Sequence, residues 1–374
     1  MTTRNPGFWI ITAFLMTIIG CKKSNQETKT NGENFHEIET YLQALIDSGN
    51  VPGIAIAITN GQDVVYSKGF GVTNIQTREK LEPWHNFHIA SISKTFTATA
   101  VMQLAEKGKI DINKSLITYL PYFKLDDDRY KAITIKQMLN HTSGMSDVEN
   151  YEWEKAIADE GAAERYTRSL ADKKMISNPG AEFHYSNMAF DVIGDLIAKV
   201  SGMPFEKYVK DNILTPLEMY EGSFYFPETK KNLRTAPHIG KPPMISTIYP
   251  YNRMHAPSST LNTNVMELSH WAIANMYEGK YKNKQIISPS TYAMMMTPTF
   301  TIYPDQKASI GLGWFMLPYK GLMNYTLEGG DLGYRSVITL IPEKKLGIIL
   351  LSNTQEIDIQ YVHNKIRDIL LSDN

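Results

Sequence analysis

The sequence predicts an α/β fold in which an antiparallel sheet drawn from both ends of the chain is flanked by helices and interrupted by a mostly helical insertion. Three observations carry that expectation. Two β-rich runs in "GIAIAITNGQDVVYSKGFG" bracket Asn60-Gly61, a strong hairpin signal. Strand patterns return beyond residue 300 in "IGLGWFML", "MNYTLEG", "YRSVITLI" and "LGIILLSN". Between them, from about 91 to 289, the text reads mainly as helices broken by loops rich in Pro, Gly, Ser and Asn. One discontinuous α/β part, about 35–90 and 290–372, then carries a helical part, and the cleft between them is the natural place for a site.

The elements follow in order. "MTTRNPGFWIITAFLMTIIGC" has a basic residue, Arg4, an apolar run from Phe8 to Ile19, and then Gly20-Cys21. The run is short for a bilayer span and fits the core of a signal peptide over 1–21. Ile18-Ile19-Gly20-Cys21 resembles a bacterial lipobox, which implies lipidation of Cys21 and a bacterial lipoprotein held at the cell envelope, periplasmic or outer-membrane. Cys21 is the only cysteine, so no intramolecular disulfide forms. Residues 22–34, polar throughout most of their length, read as a tether, and the folded domain is expected over 35–372. "FHEIETYLQALIDSG" (35–49) spaces Ile38, Leu42, Leu45 and Ile46 as one helical face. Residues 91–107 form the helix that opens the insertion, with Gly108 at its C-cap. A last helix repeats apolar residues at Ile359, Val362, Ile366, Ile369 and Leu370.

Composition sets bounds on chemistry. A chain of 374 residues, 43% apolar and 21% charged, buries a large core. A net charge of −1 gives no reason to expect nucleic acid as a partner. Gly-x-Ser-x-Gly, His-Glu-x-x-His, Cys-x-x-Cys and phosphate-binding glycine loops are all missing, and the nine histidines lack ligand spacing. Neither a metal nor a cofactor is implied. What remains is Ser91-Ile92-Ser93-Lys94, with a hydroxyl and an amine on one helical face. For Lys94 to act as base, burial or a nearby cation must lower its pKa. The apolar neighbours Phe96, Val101, Met102 and Leu104 predict that burial. On this segment alone, a capping serine followed by a surface lysine explains the pair equally well.

Two further segments bear on the choice. Tyr185-Ser186-Asn187 precedes an amphipathic helix closed by Gly202. Tyr185 there can present its hydroxyl to the cleft, and Asn187 can meet a substrate amide or Lys94; alternatively Ser186 or Asn187 only caps the helix. Gly329, Gly330 and Gly333 beside a strand permit close approach of a ligand to backbone, or simply form a glycine-rich hairpin.

Together these segments resemble the serine β-lactamase and penicillin-binding-protein superfamily. The branch is the class C β-lactamase-like group, with its D-alanyl-D-alanine carboxypeptidases, D-aminopeptidases and esterases. Ser91-Ile92-Ser93-Lys94 matches the first motif and Tyr185-Ser186-Asn187 the second; Glu328-Gly329-Gly330 stands where the third has Lys or His, any residue, then Gly. Stretches 133–145 and 257–276 look similar too, and the likeness spans about 35–370. The resemblance implies a β-lactamase/transpeptidase-like fold and a serine hydrolase with a covalent acyl-enzyme. Ser91 is then the nucleophile, and Lys94 and Tyr185 share general-base and general-acid work. Asn187, Glu328, Gly330 and Asp331 meet a small-molecule or peptide substrate, and the N–H groups of Ser91 and Asp331 form the oxyanion hole. His141 is read as structural. Glu328 departs from the family pattern. A carboxylate in place of a cation disfavours carboxylate-bearing β-lactams and favours neutral esters or amides, or an amine-bearing group. Glu328 is also the one feature behind a second reading, a non-catalytic envelope-tethered module that binds peptidoglycan fragments or a protein partner. Presence of Ser91, Lys94 and Tyr185 together favours the enzyme.

Overall fold

The computed structural model describes residues 31–372. The signal segment, Cys21 and most of the tether lie outside the described residues. The tether ends earlier than expected, because residues 31–34 already belong to helix α1 (Asn31–Asp47).

Strands β1 (Gly53–Asn60) and β2 (Asp63–Gly71) form the N-terminal hairpin. After the insertion come β3 (Phe300–Tyr303), β4 (Ala308–Ile310), β5 (Phe315–Tyr319), β6 (Leu322–Asp331), β7 (Tyr334–Ile341) and β8 (Leu346–Ser352). They make one eight-stranded antiparallel sheet in the order β2-β1-β8-β7-β6-β5-β4-β3. The first and last strands are therefore neighbours, β1 pairing with β8 one strand in from the β2 edge.

The central strands are apolar on both faces because both faces are covered. On one face Ile54, Ile56, Val337, Ile348 and Leu350 pack with α1 and with α5 (Ile359–Leu370). On the other, Ala55, Ala57, Leu327, Ile338 and Ile349 join the core of α2 (Ser93–Glu106), α3 (Asn187–Ser201) and α4 (Val265–Met276). Burial on two sides replaces polar–apolar alternation with runs such as "GIAIAI" and "GIILL". Among the described residues no helix is long and apolar enough to cross a membrane.

One expected strand divides. "IGLGWFML" reads as a single strand over 310–317, yet β4 ends at Ile310 and β5 starts at Phe315. Gly311 N–H bonds the Trp314 carbonyl across the turn, and Gly313 adopts φ +83°. A side chain on Gly313 would meet Ala98 at 2.6 Å, so this turn rests directly on the helix that carries Lys94.

Candidate active site

Ser91 sits on a short 3-10 turn, Ala90–Ile92, immediately ahead of α2 rather than inside it. Ala90 has φ +47°, a left-handed conformation that costs a non-glycine residue about 1–2 kcal/mol. The surroundings hold it there. Ile89 N–H bonds the Leu261 carbonyl, Ser93 Oγ accepts from Leu261 N–H, and Ser336 Oγ donates to the Ile89 carbonyl at 2.7 Å. The turn thereby presents Ser91 Oγ toward two groups at once. Lys94 Nζ lies 3.0 Å away and Tyr185 OH donates to it at 2.8 Å.

Lys94 is 1% exposed, packed 5.0 Å from the centre of the Tyr185 ring and 5.7 Å from that of Phe190. Besides Ser91 Oγ it bonds the Ser258 carbonyl at 2.7 Å, so both of its oxygen partners are neutral. The apolar neighbours that predict burial in the sequence thus enclose the amine in the folded chain.

The second segment divides its labour. Ser186 caps α3, its Oγ accepting from Ala189 N–H at 3.1 Å, which releases Asn187 for other contacts. Asn187 uses its backbone N–H and its Nδ2 to bond Asp147 Oδ1 at 2.7 and 3.0 Å. Asp147 carries no signal of its own in the sequence; only its position just after "ITIKQMLNHTSGM" hints at a role. Tyr185 is placed by His141, whose ring stacks on it at 4.3 Å. His141 itself adopts φ +58°, and its Nδ1 accepts from Ser186 N–H at 3.1 Å. Burial, then the charge of Lys94, hold the His141 pKa well below its usual value, so the ring is a neutral platform. That agrees with its reading as structural.

The third segment requires a correction. Gly329 faces Ser91: a Cβ there would stand 2.5 Å from the Ile89 carbonyl oxygen and 3.0 Å from Ser91 N. Side chains alternate along a strand, so Leu327 and Asp331 share that face, whereas Glu328 and Gly330 share the opposite one. The packing agrees. Leu327 and its cross-strand partner Ile338 belong to the core around α2, and the Glu328 partner Val337 belongs to the core under α1 and α5. The Glu328 side chain is exposed on that far side, where partial desolvation raises its pKa, with Arg335 opposing and Asp358 reinforcing the shift. Glu328 therefore does not join Ser91, and the motif register is Leu327-Glu328-Gly329, one residue earlier than the sequence alone suggests. Arg335 belongs to the Gly330 side, its guanidinium bonding the Asp331 and Tyr334 carbonyls.

Backbone donors move with the register. Asp331 and Tyr334 close a two-residue hairpin and so exchange both backbone hydrogen bonds. Alternation along the ladder then turns the N–H of Gly330 outward, toward the edge that β5 leaves free beyond its Phe315–Thr326 pair. Gly330 N–H, not Asp331 N–H, is available beside Ser91. The Asp331 side chain instead reaches His88 Nε2 at 2.7 Å and accepts from Ser259 Oγ, closing a buried polar triangle that the sequence reading does not contain.

Ser91, Lys94 and Tyr185 thus meet at hydrogen-bond distance, with Asn187, Asp331 and the Gly330 edge around them, and Glu328 apart. This is the architecture of the β-lactamase/transpeptidase-like superfamily, and the comparisons agree. The chain belongs to the β-lactamase family, whose model matches residues 38–368. It is similar to Protein flp of Staphylococcus aureus (strain MRSA252), at 28% identity over 87% of this chain, and spans 64% of that relative's length. It is also 28% identical to the putative penicillin-binding protein PbpX of Bacillus subtilis (strain 168), over 93% of this chain and 81% of PbpX. Among solved structures, the octameric penicillin-binding protein homologue from Pyrococcus abyssi superposes with TM-score 0.79 at 25% identity, covering 91% of this chain and 78% of that one. A β-lactamase/D-alanine carboxypeptidase from Pseudomonas syringae shares the fold with TM-score 0.75 at 19% identity, over 91% and 99% of the two chains.

Proposed function

We infer that this protein is a serine hydrolase that works through a covalent acyl-enzyme on an ester, amide or peptide. The observation that carries the reading is the convergence of a buried amine and a phenol on one serine hydroxyl. Lys94 takes the Ser91 proton as Oγ attacks the acyl carbon. The resulting oxyanion rests on the Ser91 and Gly330 N–H groups, donors of a type worth about 10²–10³-fold each. Tyr185 passes a proton to the leaving group, a step worth roughly 10²–10⁴-fold. Water then attacks the acyl-enzyme by the reverse proton path. Asn187, held by Asp147, contacts the acyl side of the substrate.

Leu327 supports a choice of substrate. On the nucleophile's face it stands two residues before Gly329, where an ammonium would attract a substrate carboxylate; a leucine offers only apolar contact. Neutral esters and amides are therefore favoured over β-lactams. The test is labelling by a fluorophosphonate, compared with Ser91→Ala, followed by rates on p-nitrophenyl butyrate and nitrocefin. A Ser91-dependent adduct and faster ester cleavage are expected. No adduct sinks the hydrolase, and faster nitrocefin cleavage sinks the substrate preference. The lipobox supports an envelope lipoprotein anchored through Cys21; Cys21→Ser is expected to abolish fatty-acid incorporation and release the protein from membranes.

A further inference from the structure

Behind Lys94 lies a buried pair of titratable groups that acyl transfer leaves without a role. Asp191, one helical turn beyond Asn187 on α3, is fully buried, and its Oδ2 lies 2.7 Å from His255 Nδ1. His255 directly precedes the short helix Ala256–Ser259, whose Ser258 carbonyl holds Lys94 Nζ. That helix is fixed to its neighbours: Thr97 Oγ1 donates to the Pro257 carbonyl at 2.6 Å, and only a glycine at 194 leaves room for the Pro257 ring. The pair therefore ties the helix of the Tyr-Ser-Asn segment to the turn that grips the amine.

Charge links the same groups. Burial pushes the Asp191 pKa up, while His255, Ser258 and Lys94 pull it down. A bare buried carboxylate attracts positive charge to its surroundings, whereas an amine that serves Ser91 as base needs its lone pair free. Around this pair stand His141 beside Lys94, Tyr185 on Ser91, and the phenols of Tyr151 and Tyr166, both raised by burial and by nearby carboxylates that include Asp191. Tyr151 also senses Asp147 and Asp331. Of these titratable groups only His255 hydrogen-bonds Asp191; the Tyr151 and Tyr166 rings pack against the His255 ring at 4.9 and 5.0 Å.

We propose that Asp191 and His255 are positioning residues for the Lys94 base: they share one proton, present no net charge to the amine, and so prevent an Asp191–Lys94 ion pair. The inference rests on the hydrolase reading of the same site. It is tested by the pH dependence of the rate at which a fluorophosphonate phosphonylates Ser91, with loss of fluoride, in the full-length protein. Wild type, His255→Gln, Asp191→Asn and the double variant are compared, with melting temperatures to establish folding. His255→Gln exposes Lys94 to an unbalanced carboxylate, so the acidic limb is expected to rise by about one pH unit or more. Adding Asp191→Asn removes that carboxylate and returns the limb toward the wild-type position. Asp191→Asn alone leaves it unmoved or lower. A wild-type limb in His255→Gln, a double variant as slow as the single one, or a raised limb in Asp191→Asn each overturns the proposal while the hydrolase stands. Should His255→Gln not fold, the Asp191→Asn limb decides alone. A wild-type protein that takes no label at Ser91 overturns the hydrolase and this inference with it.

Discussion

The two faces of β6 lie in different surroundings. Leu327, Gly329 and Asp331 look toward Ser91, the helical cores and the polar triangle with His88 and Ser259. Glu328 and Gly330 look toward Arg335 and the terminal helices. Residues one position apart thus live in different chemistry, separated by the thickness of a sheet. A carboxylate that would repel an anionic substrate on one face is a bystander on the other.

Ser91→Ala should remove all labelling by fluorophosphonate, with no change in fold by circular dichroism. Next, Gly329→Ala drives a methyl into the Ile89 carbonyl and against Ser91 N, and should cost at least about 10²-fold in kcat/KM, the scale of a lost oxyanion donor. Gly330→Ala meets only the Arg335 side chain, a group able to move, and should stay within roughly threefold in the same assay. Equal losses at the two glycines would refute the assignment of faces. Charge sharpens the same contrast. Leu327→Lys should shift the nitrocefin-to-ester rate ratio upward by about tenfold, whereas Glu328→Lys should leave it within about twofold.

A last effect is on stability and lies away from the cleft. Burial raises the Glu267 pKa to about 7, against hydrogen bonds from Glu221 N–H and Thr263 Oγ1 that favour the carboxylate. A raised acid stabilises the folded state fully below its unfolded value near 4.5, and that contribution fades as pH climbs through 7. The native state should lose roughly 3 kcal/mol across this window, and Glu267→Gln should flatten the loss in urea melts taken from pH 4 to 8. An unchanged slope would refute it. The measurement also separates a pH effect on folding from one on Lys94.

Helix and strand motifs were legible to different degrees. On a helix, residues three apart share a face whatever the tertiary context, so Ser91 and Lys94 could be paired from spacing, and the burial of Lys94 followed from its apolar neighbours. On a strand, facing depends on register, and "LEGGD" offers two adjacent glycines that fit a Gly-ending motif equally well. Only the approach of Gly329 to Ile89 and Ser91 distinguishes them. The divided strand at 310–317 has the same origin: glycines in an apolar run read as strand until a helix is seen beneath them. Asp147, Asp191, His88 and His255 were beyond reach because their partners lie 40 to 243 positions away in the chain.

Local composition and spacing alone determined the class of fold, the order of its elements and the pairing of the Ser91 hydroxyl with the Lys94 amine. These depend on periodicity, turn residues and short-range geometry, which the chain carries wherever it is read. Tertiary structure decided the rest: which glycine meets the serine, which backbone N–H is free, and which buried charges surround the lysine. Each of those is a contact between distant segments, set by how a sheet is registered and how helices pack across it.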